Sequence, residues 1–233
     1  MREYLLKGLE SLGLEFDKVI IDNLIAYAKL LLETNKHTNL TAIRDEDSLI
    51  EKHFIDSMLL QKSISENTET AIDIGTGAGF PGMVLAICNP KIKFTLMDSV
   101  GKKTDFLEMV KNELGLENVE VINDRAEEFI KNEKRGTYDL GLCRGVSKLN
   151  VILEYMIPFL KVDGVFLAQK MEGTGEENES ENALNVLDSE IEEIYKLELP
   201  FSSDPRTIIK IRKNKATNSK YPRRTGIPLK RPL

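Results

Sequence analysis

The stretch Thr70-Ala71-Ile72-Asp73-Ile74-Gly75-Thr76-Gly77-Ala78-Gly79-Phe80-Pro81-Gly82 decides how the rest of the chain is read. Ala71 to Ile74 reads as a short buried strand. Glycines follow at 75, 77, 79 and 82, and then an apolar helical run, Met83-Val84-Leu85-Ala86-Ile87. Strand, glycine loop and helix in that order form a nucleotide-type site. Glycine lets the backbone turn tightly and approach a ligand with no Cβ in the way.

Spacing separates the cofactor classes that use such a loop. A phosphate-cradling loop ends in Gly-Lys-Ser/Thr, whereas Gly79 is followed by Phe80-Pro81. A dinucleotide fingerprint needs G-x-G-x-x-G/A, and counting from Gly75 puts Phe80 at the third position. What remains is Asp-x-Gly-x-Gly-x-Gly from Asp73 to Gly79, which resembles the first motif of S-adenosylmethionine-dependent methyltransferases. The alternative is an ordinary glycine-rich turn in an α/β domain. A second acid weighs against it. Lys93 to Asp98 reads as the next strand and ends in a carboxylate, where a nucleotide-binding sheet hydrogen-bonds a ribose diol. Taken alone, Asp98 could equally be a solvated strand end.

Outward from the loop, strand and helix patterns alternate: strands at 70–74, 92–98, 118–122, 138–142 and 163–169, helices at 81–88, 101–115, 125–132 and 147–159. That succession predicts an α/β fold with a mostly parallel, Rossmann-like sheet covered on both faces. Ligands bind such sheets beyond the carboxyl ends of the strands, so Asp73, Asp98, Asn123, Asp124, Arg144 and Lys170 are all site candidates. Residues 172–193 are acidic and read as a solvated helix. Segments 194–200 and 207–213 read as a final antiparallel pair.

Before the sheet, helices at 3–12 and 16–35 form a helical cap of residues 1–65. In the second, Ile21, Leu24, Ile25, Ala28, Leu31 and Leu32 share one face. Asp45 or Asp47 caps a third helix running to about Gln61. Its His53, Asp56 and Ser57 could suggest nucleophilic catalysis, but nothing supplies an elbow or oxyanion donors, and a structural His53 is the simpler reading. The sheet domain then spans 66–214, followed by a basic tail, 215–233, packed on the core or extending from it.

At 233 residues, 30% charged and 41% hydrophobic, the chain reads as a soluble globular protein with a substantial core. No apolar run reaches a membrane span, and Cys88, Cys143, His37 and His53 give no zinc spacing. A cytoplasmic protein without metal or membrane contact is expected. Net charge is −6, but it is unevenly spread. From Pro205 onward there are ten basic residues and no acid, which leaves 22 basic against 38 acidic elsewhere. A cationic segment on an acidic body suits a polyanion partner, or simply solubility. The last twenty residues read as extended and partly disordered when free, with Tyr221 as a face on which a base could stack.

Several motifs together resemble the bacterial RsmG or GidB family of small-subunit ribosomal RNA guanine-N7 methyltransferases. They are Asn39-Leu40-Thr41, Lys52-His53-Phe54-Ile55-Asp56-Ser57, Asp73 to Gly82, Met97 to Lys103, Asp124-Arg125-Ala126-Glu127-Glu128, Cys143-Arg144-Gly145-Val146 and Lys220 to Pro228. The resemblance implies methyl transfer from S-adenosylmethionine to N7 of a guanosine in 16S ribosomal RNA, or in the small subunit; a monomer is expected, though nothing in the sequence fixes the oligomeric state. It implies cofactor contacts at Asp73, Gly75, Gly77, Gly79, Phe80, Asp98, Ala126, Glu127 and Arg144, with Arg144 and Lys170 placing the guanine. RNA contacts are expected at Lys52, His53, Arg206, Lys220, Arg223 and Arg224. The chain departs from the family pattern at Gly145, where the family has alanine, and at Met171, where it has glycine. A NAD-dependent oxidoreductase on the same sheet and a non-catalytic RNA-binding assembly factor are the alternatives.

Overall fold

The structure, a computed structural model, describes residues 1–131, 134–171 and 175–233. The cap begins with α1 (Arg2–Leu12), stopped by Gly13 in the left-handed region, and α2 (Lys18–Asn35), whose first turn is closed by Asp17 accepting from the Ile20 amide at 2.9 Å. The apolar stripe of α2 is buried as the periodicity predicts, with Ile21, Leu24, Ala28 and Leu31 at most 3% exposed.

The third helix is not continuous. Asp45 caps a short α3 (Glu46–Leu49), a π-helical stretch runs from Ile50 to Ile55, and α4 (Asp56–Met58) and a 3-10 turn (Gln61–Ser63) follow. The wider π turn departs from the 3.6-residue repeat that the sequence reading assumed. His53 and Asp56 lie on this irregular stretch, and both turn toward the sheet.

The strands are β1 (Thr70–Ile74), β2 (Lys93–Asp98), β3 (Val119–Asn123), β4 (Tyr138–Arg144), β5 (Leu160–Met171), β6 (Ser189–Glu198) and β7 (Pro205–Lys213). They form one sheet in the order β3-β2-β1-β4-β5-β7-β6. β1 to β5 are parallel, and β7 runs antiparallel to both β5 and β6. The carboxyl ends of β1, β2, β4 and β5 therefore open on one edge, where Asp98, Arg144 and Lys170 stand.

Helices cover both faces. α5 (Gly82–Cys88) and α6 (Gly101–Leu114) share one face with the cap, in a core that joins Tyr27, Phe54, Leu85 and Phe106. α7 (Ala126–Phe129), α8 (Leu149–Met156), α9 (Glu176–Glu179) and α10 (Glu181–Val186) lie on the other side, where Phe159, Phe166 and Tyr221 are buried. A last turn, α11 (Ile227–Lys230), ends the chain.

Three sequence expectations need correction. The acidic helix expected over 172–193 is only α9 and α10, and its start at 172–174 lies outside the described residues. From Ser189 the chain is strand. Glutamates 190, 192 and 193 disguise it, yet Glu192 meets Arg212 at 2.6 Å and Lys210 at 3.3 Å across β7, a cross-strand pairing that overrides weak strand propensity. The helix expected over 147–159 ends at Met156 in a 3-10 turn through Pro158. The tail is not extended: Tyr221 is 7% exposed, too covered to stack a base, and Arg223 is tied to the fold.

Candidate functional site

Two cavities open side by side at the carboxyl edge of the sheet. The first, about 380 Å³, is lined by Gly75, Met97 to Val100, Lys103, Asp124 to Glu127, Gly145, Val146 and Tyr155 among others. Its floor is the glycine loop. Gly75, Gly77 and Gly79 have φ of +72°, +63° and +104°, a region that side chains rarely adopt. Their surroundings differ. A Cβ on Gly79 would meet Met83 at 2.7 Å and Leu107 at 2.9 Å, whereas one on Gly77 would meet nothing within 4 Å. Gly77 thus faces open space, and Gly79 faces the core.

Two carboxylates hold the loop. Asp98 accepts the Gly77 amide at 2.9 Å and the Val100 amide at 3.0 Å, and Lys103 lies 3.3 Å away. A carboxylate has about four acceptor sites, so Asp98 retains capacity for a ribose hydroxyl. Asp73 lies beneath the loop, fully buried, and accepts the Gly82 amide at 2.8 Å. Burial raises its pKa to about 6, against the pull of the Thr76 hydroxyl and the Gly82 amide. Among the described residues its Oδ1 has no hydrogen-bond partner.

Of the residues expected at the cofactor, Gly75, Asp98, Ala126 and Glu127 line this cavity, and Gly77 joins them through Asp98. Asp73, Gly79 and Phe80 support the loop from below. Phe80 is 5% exposed and packs on Tyr27, Phe54 and His53, while the Tyr27 hydroxyl donates to the Ala78 carbonyl. Arg144 lines the second cavity, not the first. Lys103 and Tyr155 also line the first cavity without having been assigned a role: Lys103 closes the Met97 to Lys103 motif, where Asp98 drew the attention, and Tyr155 stands in no motif.

The second cavity, about 370 Å³, shares Gly145 and Val146 with the first and is otherwise lined by Asp56, Arg144, Ser147, Gln169, Lys170, Met171, Glu176 and Arg206. Asp56 is its hub. Its Oδ2 takes Arg144 Nη1 at 3.0 Å, and its Oδ1 takes Arg206 Nε at 2.9 Å and Gln169 Nε2 at 2.6 Å. Both partners of the Gln169 amide, the Asp56 carboxylate and the Asp56 carbonyl at 2.8 Å, are acceptors, which fixes the amide's orientation. Burial raises the Asp56 pKa, and Arg144 and Arg206 oppose that rise. Lys170 donates to the Ser147 carbonyl at 2.5 Å and pairs with Glu176 at 2.8 Å.

His53 completes the network as a neutral ring. Arg144 Nη2 lies 3.1 Å from its Nδ1, and a guanidinium can only donate, so Nδ1 accepts and Nε2 carries the hydrogen that goes to Thr41 Oγ1 at 2.7 Å. Burial first, and the Arg144 charge second, push its pKa down to about 3. The sequence placed Asp56 in the Lys52–Ser57 motif and weighed it for a triad that the fold does not form, without assigning it the role of hub.

The residues expected to meet RNA separate into two kinds. His53, Arg206 and Arg223 are bound to Arg144, Asp56 and Glu154 respectively. Lys52, Lys220 and Arg224 are more open: Lys52 meets Asp204 at 3.2 Å, and Lys220 and Arg224 are exposed. Among the described residues no group of three or more His, Cys, Asp or Glu side chains could hold a metal, and no helix is long and apolar enough to cross a membrane.

A glycine-floored cavity with a carboxylate at the tip of the second strand, on a parallel sheet with an antiparallel edge, is the arrangement of Rossmann-like S-adenosylmethionine-dependent methyltransferases. The fold is similar to that of an S-adenosylmethionine-dependent methyltransferase from Aquifex aeolicus, with TM-score 0.54, 18% identity, and coverage of 85% of this chain and 100% of that one. It is also similar to P. horikoshii TYW2 solved with MeSAdo, with TM-score 0.55, 13% identity, and coverage of 68% and 61%. The particular family is shown by sequence. The profile described as rRNA small subunit methyltransferase G matches residues 20–205, and the chain belongs to that family. A "Ribosomal RNA small subunit methyltransferase G" of Fusobacterium nucleatum is 59% identical over 233 residues, all of both chains. One of Acetivibrio thermocellus is 42% identical over 100% of this chain and 97% of its own. Membership decides for a methyltransferase against the oxidoreductase and the non-catalytic alternatives.

Proposed function

We propose that the chain methylates N7 of one guanosine in 16S ribosomal RNA, acting as a cytoplasmic monomer with the cofactor in the first cavity and the target base in the second. The observation that carries this reading is the shared wall of Gly145 and Val146, which makes the two cavities neighbours. Asp98 would hold the ribose, Ala126 and Glu127 the adenine edge, and Gly75 and Gly77 would admit the cofactor past a backbone without side chains. When bound, S-adenosylmethionine supplies a methyl group already activated by its sulfonium.

The chain's remaining task is placement. Guanine N7 has a lone pair and no hydrogen, so no side chain has to remove a proton. Among the described residues Arg144 spends three of its five donors on the Lys52 carbonyl, Asp56 and His53, which leaves two for guanine O6 or a flanking phosphate. Among the same residues Lys170 spends two hydrogens on Ser147 and Glu176, and its third serves the same purpose. Positioning of this kind can lower a barrier by up to roughly 7–11 kcal/mol. The ion pairs and hydrogen bonds around Asp56 give these donors a fixed origin. Lys52, Lys220 and Arg224 would meet phosphates directly, while His53, Arg206 and Arg223 act through the residues they hold.

Mapping of N7-methylguanosine by reduction and strand cleavage tests this. In 16S RNA from cells lacking the protein, one site should lose its modification. The wild-type chain should restore it, and Asp98→Ala should not. An unchanged methylation map would sink the assignment.

A further inference from the structure

We propose that residues 221–226 form a strap that positions Glu127 on the wall of the first cavity, so that Gly226 and Arg223 are positioning residues for cofactor binding. The inference rests on reading that cavity as the cofactor site. α7 is four residues long, too short to hold its own shape, and needs support from outside. The strap supplies it at two consecutive acids. The Gly226 amide donates to Glu127 Oε1 at 3.1 Å, and the Thr225 hydroxyl donates to Glu128 Oε1 at 2.9 Å.

The strap is itself anchored in the core. Glu154 on α8 is 0% exposed, and its carboxylate takes the Arg223 amide at 2.7 Å, Nε at 2.9 and 3.1 Å, and Nη2 at 2.6 Å. Arg223 Nη2 also donates to the Arg231 carbonyl at 2.7 Å, which closes the segment on itself. Arg135 donates to the carbonyl of the buried Tyr221. A buried carboxylate with this many partners fixes where the strap lies, because any shift leaves charge unpaired in the core. The neighbour of Glu154 on α8, Tyr155, lines the same cavity. The anchor and the supported residue thus stand on two elements of one wall.

The exposed Lys220 and Arg224 belong to the same segment. A polyanion that draws on Arg224 acts two residues from the Gly226 amide that holds Glu127, and linkage makes any resulting effect reciprocal between RNA and cofactor.

The test is calorimetric titration of S-adenosylmethionine, and separately of adenosine, into full-length wild type, Arg223→Ala, Arg223→Lys and Thr225→Val without RNA. Thermal unfolding reports the fold of each variant. Arg223→Ala should weaken both ligands about fivefold to tenfold at unchanged stoichiometry, the equivalent of one hydrogen bond on the wall. Arg223→Lys should recover part of that loss, and Thr225→Val should lose about twofold. Should Arg223→Ala not fold, weakened binding by Arg223→Lys or Thr225→Val supports the strap. Unchanged dissociation constants in both overturn it, as does a lowered Tm in Arg223→Ala with wild-type affinity. A wild-type protein that binds neither ligand overturns the cofactor reading of the cavity first, and the strap with it.

Discussion

The two cavities that meet at Gly145 and Val146 are built by opposite means. The first is made of backbone: glycines at positive φ, with amides of Gly77, Val100 and Gly82 converging on Asp98 and Asp73. The second is made of charged side chains brought together from distant parts of the chain. Arg206 and Asp56 are 150 residues apart, and Arg144 and Asp56 are 88 apart. A backbone-built wall is sensitive to an added Cβ. A charge-built wall is sensitive to a missing partner. The first suits a ligand held in one fixed shape, and the second suits a group that must be oriented by donors.

Removing the Asp56 hub should have the largest effect. Asp56→Ala leaves two nearly buried guanidiniums, 17% and 14% exposed, without their carboxylate. It should destabilise the fold by about 3–5 kcal/mol, read by urea unfolding. On the backbone side, Gly79→Ala forces a strained φ and drives a methyl group into Met83, Leu107 and the Tyr27 hydroxyl, for a loss of about 3 kcal/mol. Gly77→Val should separate strain from clash. Its side chain meets open space in the free protein, so the stability cost is that of the strained φ of +63° alone, about 1–3 kcal/mol, while the side chain stands in the cofactor's path and lowers cofactor affinity as well.

A smaller effect sharpens the contrast by pH. His53 is held neutral with a pKa of about 3, while the unfolded chain takes up that proton near 6.5. The folded state therefore binds fewer protons between those values. Its stability is whole above pH 6.5 and falls as pH drops toward 3, by up to about 1.4 kcal/mol per pH unit. Asp73 acts with the opposite sign, since its raised pKa favours the folded state as pH falls through 6. The difference between wild type and His53→Asn, measured across this range, cancels Asp73 and isolates the histidine. A difference that does not change with pH would contradict the neutral assignment. The smallest effect is expected at the surface: Arg224→Gln should make the slope of log RNA affinity against log salt shallower by about one, with transfer chemistry intact.

The uneven legibility of the chain follows from the same contrast. The Asp73–Gly79 spacing and the acid at Asp98 are local, so the cofactor loop and the order of sheet elements could be read directly. The helix stripe of α2 was legible for the same reason. The Asp56 hub was not, because nothing in the neighbourhood of residue 56 announces Arg144, Gln169 or Arg206, and the π turn hides which way it points. The second half of β6 was legible within segment 194–200, but its first half, residues 189–193, was concealed by its glutamates, and the partner of Glu192 on β7 lies 20 residues further on. The tail looked like a solvated basic segment because its decisive partner, Glu154, is a single acid inside an apolar helix.

The division of labour between the cavities is tested most directly by calorimetric titration of S-adenosylmethionine into wild type, Asp98→Ala and Lys170→Met, alongside methyl transfer to 16S RNA. Asp98→Ala should lose about 1.5–3 kcal/mol of cofactor binding. Lys170→Met should bind the cofactor as wild type does while its transfer rate drops. Wild-type cofactor affinity in Asp98→Ala, or loss of cofactor binding in Lys170→Met, would contradict the account.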